Sequence, residues 1–318
     1  MIKPESCSGF LFEPAMYEEN SVNQKLAINF PHNITLTIKR EDLIHPAISG
    51  NKWRKLKYNL QAARQADQHC LLTFGGAYSN HIAAVAAVGA EFGFKSIGVI
   101  RGEELAGRIN DNPTLSAAQA NGMQLCFISR SQYRLKHTPA FLEQLSQQYG
   151  TFYLLPEGGT NALAVRGCEE ILSEQDKLDF DYVCCAVGTG GTLAGIINSS
   201  ANRQQVIGFA ALKGGFLDGE VRQWLHANVN RSNWLINTDY HFGGYAKTQP
   251  ALFEFMQSFS QQSGIAMEPV YTGKMLFGIF DLIKKGYFPA NSRILAIHTG
   301  GLQGNQSGLF KTQLQSNV

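Results

Sequence analysis

The chain has 318 residues, 44% hydrophobic and 16% charged, which is the composition of a globular protein with room for two domains and excludes a disordered one. Its 27 basic and 25 acidic residues leave a net charge of +2, so there is no bulk electrostatic case for nucleic acid or an anionic membrane, and a small partner is expected. The six cysteines (Cys7, Cys70, Cys126, Cys168, Cys184 and Cys185) form no Cys-x-x-Cys pair and read mostly as small buried hydrophobes in a reducing compartment.

Residues 1–20 carry Glu5, Glu13, Glu18 and Glu19 and no apolar segment, so they do not read as a secretory signal. No apolar run is long and glycine-free enough to span a bilayer, and a soluble cytoplasmic protein is expected. Further on, residues 35–39 alternate as a period-two strand that leads into Arg40-Glu41-Asp42-Leu43. Residues 49–60 then read Ser-Gly-Asn-Lys-Trp-Arg-Lys-Leu-Lys-Tyr-Asn-Leu, with Lys52 directly behind a Gly-Asn turn. This places Lys52 at the mouth of a helix that continues through Leu56, Leu60 and Ala63. Helix-end potential, neighbouring cations and burial all lower an amine's pKa, which suits Lys52 to a Schiff base with a carbonyl cofactor and then to work as a base. Taken alone, the lysine is better read as the start of a basic surface helix.

A short apolar strand at 71–74 ends in Gly75-Gly76-Ala77-Tyr78-Ser79-Asn80-His81, followed by an Ala-rich helix at 82–90 and a strand at 96–100. Asn112-Pro113 opens a helix that Asn121-Gly122 closes. A strand at 124–128, a helix at 139–148 and a strand at 152–155 lead to Pro156-Glu157-Gly158-Gly159-Thr160-Asn161 and a helix from 162 to about 172. The strand at 182–187 points Cys184 and Cys185 to opposite faces and ends in Gly188-Thr189-Gly190-Gly191-Thr192. A helix at 193–198, a strand at 206–210, helices near 221–227 and 250–262, a helix after Gly273 and a strand at 293–298 complete the alternation. It implies a mainly parallel sheet with helices on both faces, with no repeat or low-complexity linker.

Four glycine-containing loops follow strands, at 75–81, 156–161, 188–192 and 299–304. Ligands of open α/β sheets collect at such strand ends, so the loops are expected to face one crevice, although ordinary corner-turning explains some of them. Gly188–Thr192 is the best phosphate candidate, because glycines let backbone amides approach an anion and the next helix adds favourable potential. It is neither a P-loop nor a dinucleotide fingerprint, since Leu193 stands where the latter needs glycine, and a cofactor with one phosphate fits better. Ser79-Asn80-His81 suits a substrate carboxylate, but as an isolated tripeptide it reads first as a helix cap beside a satisfied surface histidine. No histidine spacing suggests a metal, and no Gly-x-Ser-x-Gly elbow suggests a serine hydrolase.

Five stretches occur in order: Lys-Arg-Glu-Asp-Leu (39–43), Gly-Asn-Lys-x-Arg-Lys-Leu (50–56), Gly-Gly-x-x-Ser-Asn-His (75–81), Gly-Thr-Gly-Gly-Thr (188–192) and Pro-Val-Tyr-Thr-Gly-Lys (269–274). Together, over residues 35 to 305, they resemble the pyridoxal-phosphate enzymes of the tryptophan synthase β type, and within them the 1-aminocyclopropane-1-carboxylate deaminase and D-cysteine desulfhydrase group. The resemblance implies the α/β fold of pyridoxal-phosphate fold type II, with two open, mostly parallel sheets. It implies a large cofactor domain from residues 1–47 and 161–318, a small domain from 48–160 that closes over a small amino-acid substrate, and a homodimer.

By the same resemblance, Lys52 matches the lysine that holds pyridoxal 5'-phosphate covalently. Asn80 matches the group near the cofactor's phenolic oxygen and the substrate. Ser79 and His81 match the substrate carboxylate pocket, with Ser79 also a catalytic candidate. Gly188, Thr189, Gly190, Gly191 and Thr192 match the phosphate cup, and Thr299 the residue near the pyridine nitrogen. Tyr271 matches an active-site tyrosine and Tyr245 resembles a second. The cyclopropane deaminases carry Glu where this chain has Thr272 and an apolar residue at the place of Thr299. A hydroxyl bonds the ring nitrogen but supplies no countercharge, which leans toward D-cysteine desulfhydrase chemistry. The alternatives are ring opening of the cyclopropane to 2-oxobutyrate and ammonia, and a cofactor-binding protein that has lost its chemistry. The stretch between 206–210 and Tyr245, with Trp224 and Trp234, is short for the family and bears on the substrate-side wall.

Overall fold

The computed structural model describes residues 17–48, 50–229 and 232–306; Cys7, Glu5, Glu13 and Ser49 lie outside the described residues. Strands β1 (Asn23–Lys25) and β2 (Thr35–Lys39) pair antiparallel, and helix α1 (Asn51–Gln65) follows. A first α/β unit then runs through β3 (Cys70–Gly75), α2 (Asn80–Phe92), β4 (Lys95–Arg101), α3 (Pro113–Ala120), β5 (Gln124–Ile128), α4 (Arg130–Tyr133), α5 (Pro139–Tyr149) and β6 (Tyr153–Leu155). Its four strands form a parallel sheet in the order β5-β4-β3-β6. The remaining chain supplies α6 (Ala162–Glu169), α7 (Glu174–Asp179), β7 (Tyr182–Val187), α8 (Gly191–Ser199), β8 (Gln205–Ala210), α9 (Leu217–Arg222), β9 (Trp234–Asn237), α10 (Pro250–Ser263), α11 (Thr272–Lys284) and β10 (Arg293–Ile297). These strands join the first two in a six-stranded sheet, β1-β2-β10-β7-β8-β9, parallel except for β1. There are therefore two mostly parallel sheets, as the resemblance implies, where the alternation of elements alone suggested one.

Burial on both faces explains why the central strands read as continuous apolar runs. Residues 294–297 of β10 are fully buried. In β7, Cys184 packs with Ile38, Phe209, Met275 and Ile279 under α11, whereas Cys185 packs with Val165, Leu193 and Ile197 under α6 and α8. The four-stranded sheet is covered likewise, by α1, α2 and α3 on one face and by α5 with Tyr133 on the other. Helix α1 lies between the two sheets. Trp53, Leu56, Leu60 and Ala63 enter the core of the smaller sheet. On the side toward α6, the Arg54 carbonyl comes so close that a Cβ on Gly167 would meet it at 1.9 Å.

Several boundaries differ from the sequence reading for local reasons. The helix expected near 221–227 spans 217–222, because Asn198 of α8 engages the backbone just beyond it, donating to the Trp224 carbonyl (3.1 Å) and accepting from the His226 N–H (3.0 Å). The helix from 162 stops at Glu169, and a separate one starts at Glu174, opened by a Ser173–Asp176 capping box. Helix α8 begins at Gly191, two residues early, so the 188–192 loop already contains its first turn. No helix among the described residues is long and apolar enough to cross a membrane.

Candidate active site

The carboxyl ends of β3, β7 and β10 and the amino end of α1 meet at a cleft of about 660 Å³, counted out to its open mouth. All four glycine loops contribute to its lining, through Ser79–His81, Gly158, Gly188–Gly190 with Thr192, and Thr299–Gly300. Lys52, Tyr245 and Tyr271 line it too. Of the residues expected at a site, only Gly191 is not in the lining; it sits in the first turn of α8 behind Gly190.

Lys52 is held in the cleft wall by close backbone packing. Gly50 adopts φ 58 and ψ −129, and its Cα lies so near residue 299 that a Cβ would stand 2.1 Å from the Thr299 carbonyl oxygen. The Asn51 N–H donates to the same oxygen (3.3 Å), which joins the start of α1 to the loop after β10. Lys52 Nζ donates to Asn51 Oδ1 (3.0 Å), and Asn51 Nδ2 donates to Thr192 Oγ1 (2.8 Å), so the amine is linked to the 188–192 loop. Although the side chain is reachable from the cleft, burial first and the Lys55 ammonium second push its pKa down to about 7. An ordinary lysine would be protonated at neutral pH. This one gives up its proton far more readily.

The other three basic residues of the stretch have separate fates, and none faces open solvent. Arg54 makes a two-pronged contact with buried Glu41 (2.9 Å each) and pairs with Glu18. Lys57 is buried between Glu18 and Glu170. Lys55, one turn beyond Lys52, is buried at the phosphate-loop end and donates to the Gly158 carbonyl (2.9 Å), Thr160 Oγ1 (3.0 Å) and Thr189 Oγ1 (3.3 Å). Burial lowers its pKa as well. Gly190 takes φ 83 immediately before α8, turning the loop into the helix. A fixed cation, two threonine hydroxyls and a helix N-terminus thus converge where an anion would be held.

On the opposite side, Ser79 caps α2 and accepts from the Ile82 N–H (3.3 Å), as the tripeptide alone suggests, yet it also lines the cleft. Asn80 Oδ1 accepts from Gln303 (3.0 Å) in the loop after β10. His81 departs from the surface reading. It is buried, and neither ring nitrogen has a hydrogen-bond partner among the described residues. Burial, then Lys52 and Lys55, lower its pKa well below the usual value, so it is a neutral imidazole with unspent donor and acceptor capacity in the cleft.

Tyr271, at the N-terminal boundary of α11, lays its ring against Gly188, where a Cβ would meet Cε1 at 3.0 Å. Tyr245 stands edge-on to it, with ring centroids 6.3 Å apart. Burial raises the pKa of both phenols, so both carry a proton at neutral pH. No carboxylate lines the cleft among the described residues. The buried acid Glu268, unnoticed in the sequence, spends its oxygens on the N–H groups of Val270 (2.7 Å), Tyr271 (2.8 Å) and Thr272 (2.6 Å) and on the Thr272 hydroxyl (3.2 Å). Asn51 and Lys55 were also missed as site residues, although Lys55 sits three positions after Lys52, on the same helical face.

The family of pyridoxal-phosphate dependent enzymes matches residues 24–300. A bifunctional D-cysteine desulfhydrase/1-aminocyclopropane-1-carboxylate deaminase of Arabidopsis thaliana is 33% identical over 306 residues, covering 86% of this chain and 74% of that protein. A 1-aminocyclopropane-1-carboxylate deaminase of Rhizobium rhizogenes is 28% identical over 307 residues, covering 87% of this chain and 90% of that protein. The crystal structure of an ACC deaminase homologue superposes with a TM-score of 0.77 at 27% identity, covering 94% of both chains. The chain belongs to the pyridoxal-phosphate-dependent enzymes, in the group of 1-aminocyclopropane-1-carboxylate deaminases and D-cysteine desulfhydrases. The reaction class is therefore that of a pyridoxal-phosphate-dependent lyase, and the fold is that of its fold type II relatives.

The cleft fits that cofactor on its own chemistry. It offers one amine of lowered pKa, an anion cradle with Lys55 one helical turn further along α1, and a buried imidazole with no partner among the described residues.

Proposed function

We propose that the protein is a β-eliminating lyase that converts D-cysteine and water to pyruvate, sulfide and ammonia. The observation that carries this reading is the absence of a carboxylate from the cleft lining among the described residues. Pyridoxal phosphate supplies an aldehyde for the substrate amine and a ring that accepts the electron pair left at Cα. With Thr299 and no acid to meet the ring nitrogen, the bound ring would be the weaker electron sink. Removing a Cα proton and expelling a thiol requires less of that sink than opening a cyclopropane with no Cα hydrogen.

Lys52 is the residue we assign to holding the cofactor and then, as a free amine, to taking the Cα proton. Lys55, Thr189 and Thr192 with the Gly188–Gly191 backbone would hold the phosphate. Asn80 would contact the ring, and Ser79 and His81 would receive the substrate carboxylate. Tyr271 and Tyr245, both protonated, donate to the departing sulfur as its bond to the β-carbon breaks. The same reading takes 1–47 and 161–318 as the cofactor domain and 48–160 as a smaller domain closing over the substrate, in a cytoplasmic homodimer. It is supported by the strands of the smaller sheet all falling between residues 70 and 155.

A second reading, opening of 1-aminocyclopropane-1-carboxylate to 2-oxobutyrate and ammonia, is favoured by the names of the relatives, one of which carries both activities. Purified protein given D-cysteine, L-cysteine and the cyclopropane separately decides between them. Pyruvate with sulfide from D-cysteine alone is the expected result. 2-Oxobutyrate from the cyclopropane without sulfide from D-cysteine would overturn it.

A further inference from the structure

Lys274 closes the Pro-Val-Tyr-Thr-Gly-Lys motif, yet it does not line the cleft. It is the third residue of α11 and among the most completely buried large side chains. Its ammonium donates to the carbonyls of His241 (2.9 Å) and Gly244 (2.8 Å). Those carbonyls belong to a turn of unusual backbone: Phe242, Gly243, Gly244 and Ala246 have φ of 53, 99, 120 and 54. Two of these are not glycine, and left-handed conformations of such residues cost about 1–3 kcal/mol each unless their surroundings impose them. The turn's own bonds are few, from the Gly244 N–H to His241 O (3.0 Å), the Lys247 N–H to Gly244 O (3.1 Å) and the Gly243 N–H to His241 Nδ1 (2.8 Å). What the sequence alone would leave floppy is clamped from below by a charge.

We propose that Lys274 is a positioning residue for Tyr245, locking the 241–246 turn so that this phenol stands over the cleft beside Tyr271. The Gly244 carbonyl and the Tyr245 N–H share one planar peptide unit, so a bond to the first fixes the direction in which the second leaves the turn. Tyr271 is bonded directly to the first residue of α11. One rigid helix therefore sets both phenols, Tyr271 through the chain and Tyr245 through Lys274. An apolar side chain would fill the space under the turn without the cost of burying an ammonium. It would leave each carbonyl with only its one bond inside the turn, and the turn unanchored to α11.

The inference rests on the reading of Tyr245 as a substrate-side residue, and the test separates the two. In the holoenzyme, K274M is expected to lower kcat/KM by about 10²-fold, the scale of a 1 Å misplacement. In a Y245F background it is expected to add less than about threefold, because residues acting through one another are not additive. Amide exchange of residues 242–247 is expected to speed up, while that of 75–81 and 188–192 stays as in the parent. Multiplying losses in the double variant, or unchanged exchange at 242–247, would overturn the proposal. If Y245F itself leaves turnover intact, the functional reading of Tyr245 falls. Exchange then decides alone, faster exchange upholding the anchor and unchanged exchange overturning it. Should K274M fail to accumulate, K274Q, with a shorter amide donor, goes through the same measurements with the same expected direction.

Discussion

Replacing Gly50 with alanine tests how tightly the catalytic lysine is seated. The new methyl would lie 2.1 Å from the Thr299 carbonyl oxygen, 2.4 Å from its carbon and 2.9 Å from the Gly300 nitrogen, all backbone atoms that no rotamer can move aside. The start of α1 and the loop after β10 would have to separate by at least about 1.3 Å to restore ordinary contact. Strain at φ 58, ψ −129 adds about 1–3 kcal/mol and overpacking about 1–3 kcal/mol, a sum of about 2–6 kcal/mol. That is a large part of a domain's stability of about 5–15 kcal/mol, but less than all of it. Lys52 lies two residues away, so the same displacement is expected to lower kcat/KM by about 10²-fold. Urea unfolding of the apoprotein and steady-state kinetics of the holoenzyme measure the two effects. A G50A protein with the parent's unfolding midpoint and full activity would refute the packing argument.

Four other outcomes are expected. Because folding lowers the Lys52 pKa from 10.5 to about 7, the folded apoprotein binds fewer protons than the unfolded chain between those values, and its stability rises with pH across that window. Covalent uptake of pyridoxal phosphate, followed by absorbance, should accelerate through pH 7 and then level off; a rate still climbing toward pH 10 would contradict the depressed pKa. K55M should weaken retention of pyridoxal phosphate by about 10- to 100-fold, the scale of one lost charge-assisted hydrogen bond, and weaken phosphate-free pyridoxal far less, through the change at Lys52 alone. Equal losses for both compounds would remove Lys55 from the phosphate site. T272E should destabilise the protein by roughly 3–5 kcal/mol without conferring ring opening, because Thr272 is fully buried against Glu268 and a second carboxylate there has no partner. Thermal unfolding and 2-oxobutyrate release check the two halves of that statement.

The parallel strands were legible because burial on both faces writes an apolar run into the sequence, as in residues 182–187 and 293–297. Edge strands were not. Asn23-Gln24-Lys25 is polar and half exposed, and it is a strand only through its pairing with residues 37–39. Trp234–Asn237 is extended because it lies along β8 at the other edge. Lys52 could be picked out by its Gly-Asn turn, but its lowered pKa depends on enclosure and on Lys55, which composition does not reveal. His81 shows the limit most plainly. The same tripeptide caps a helix and places in the cleft an imidazole whose two nitrogens have no partner among the described residues, and only the fold tells a surface histidine from a buried one. Lys274 and Glu268 act on backbone groups 30 residues away or within one turn, through contacts that no residue pattern announces.

Two buried amines one helical turn apart, Lys52 and Lys55, compete for the central role in this account. Lys52 is free except for Asn51, whereas Lys55 is tied to three oxygens. Borohydride reduction of the purified holoenzyme, followed by peptide mapping, fixes the cofactor to whichever lysine holds it. The modification is predicted on Lys52. Modification of Lys55, or of no lysine in residues 50–60, would contradict the assignment of the site.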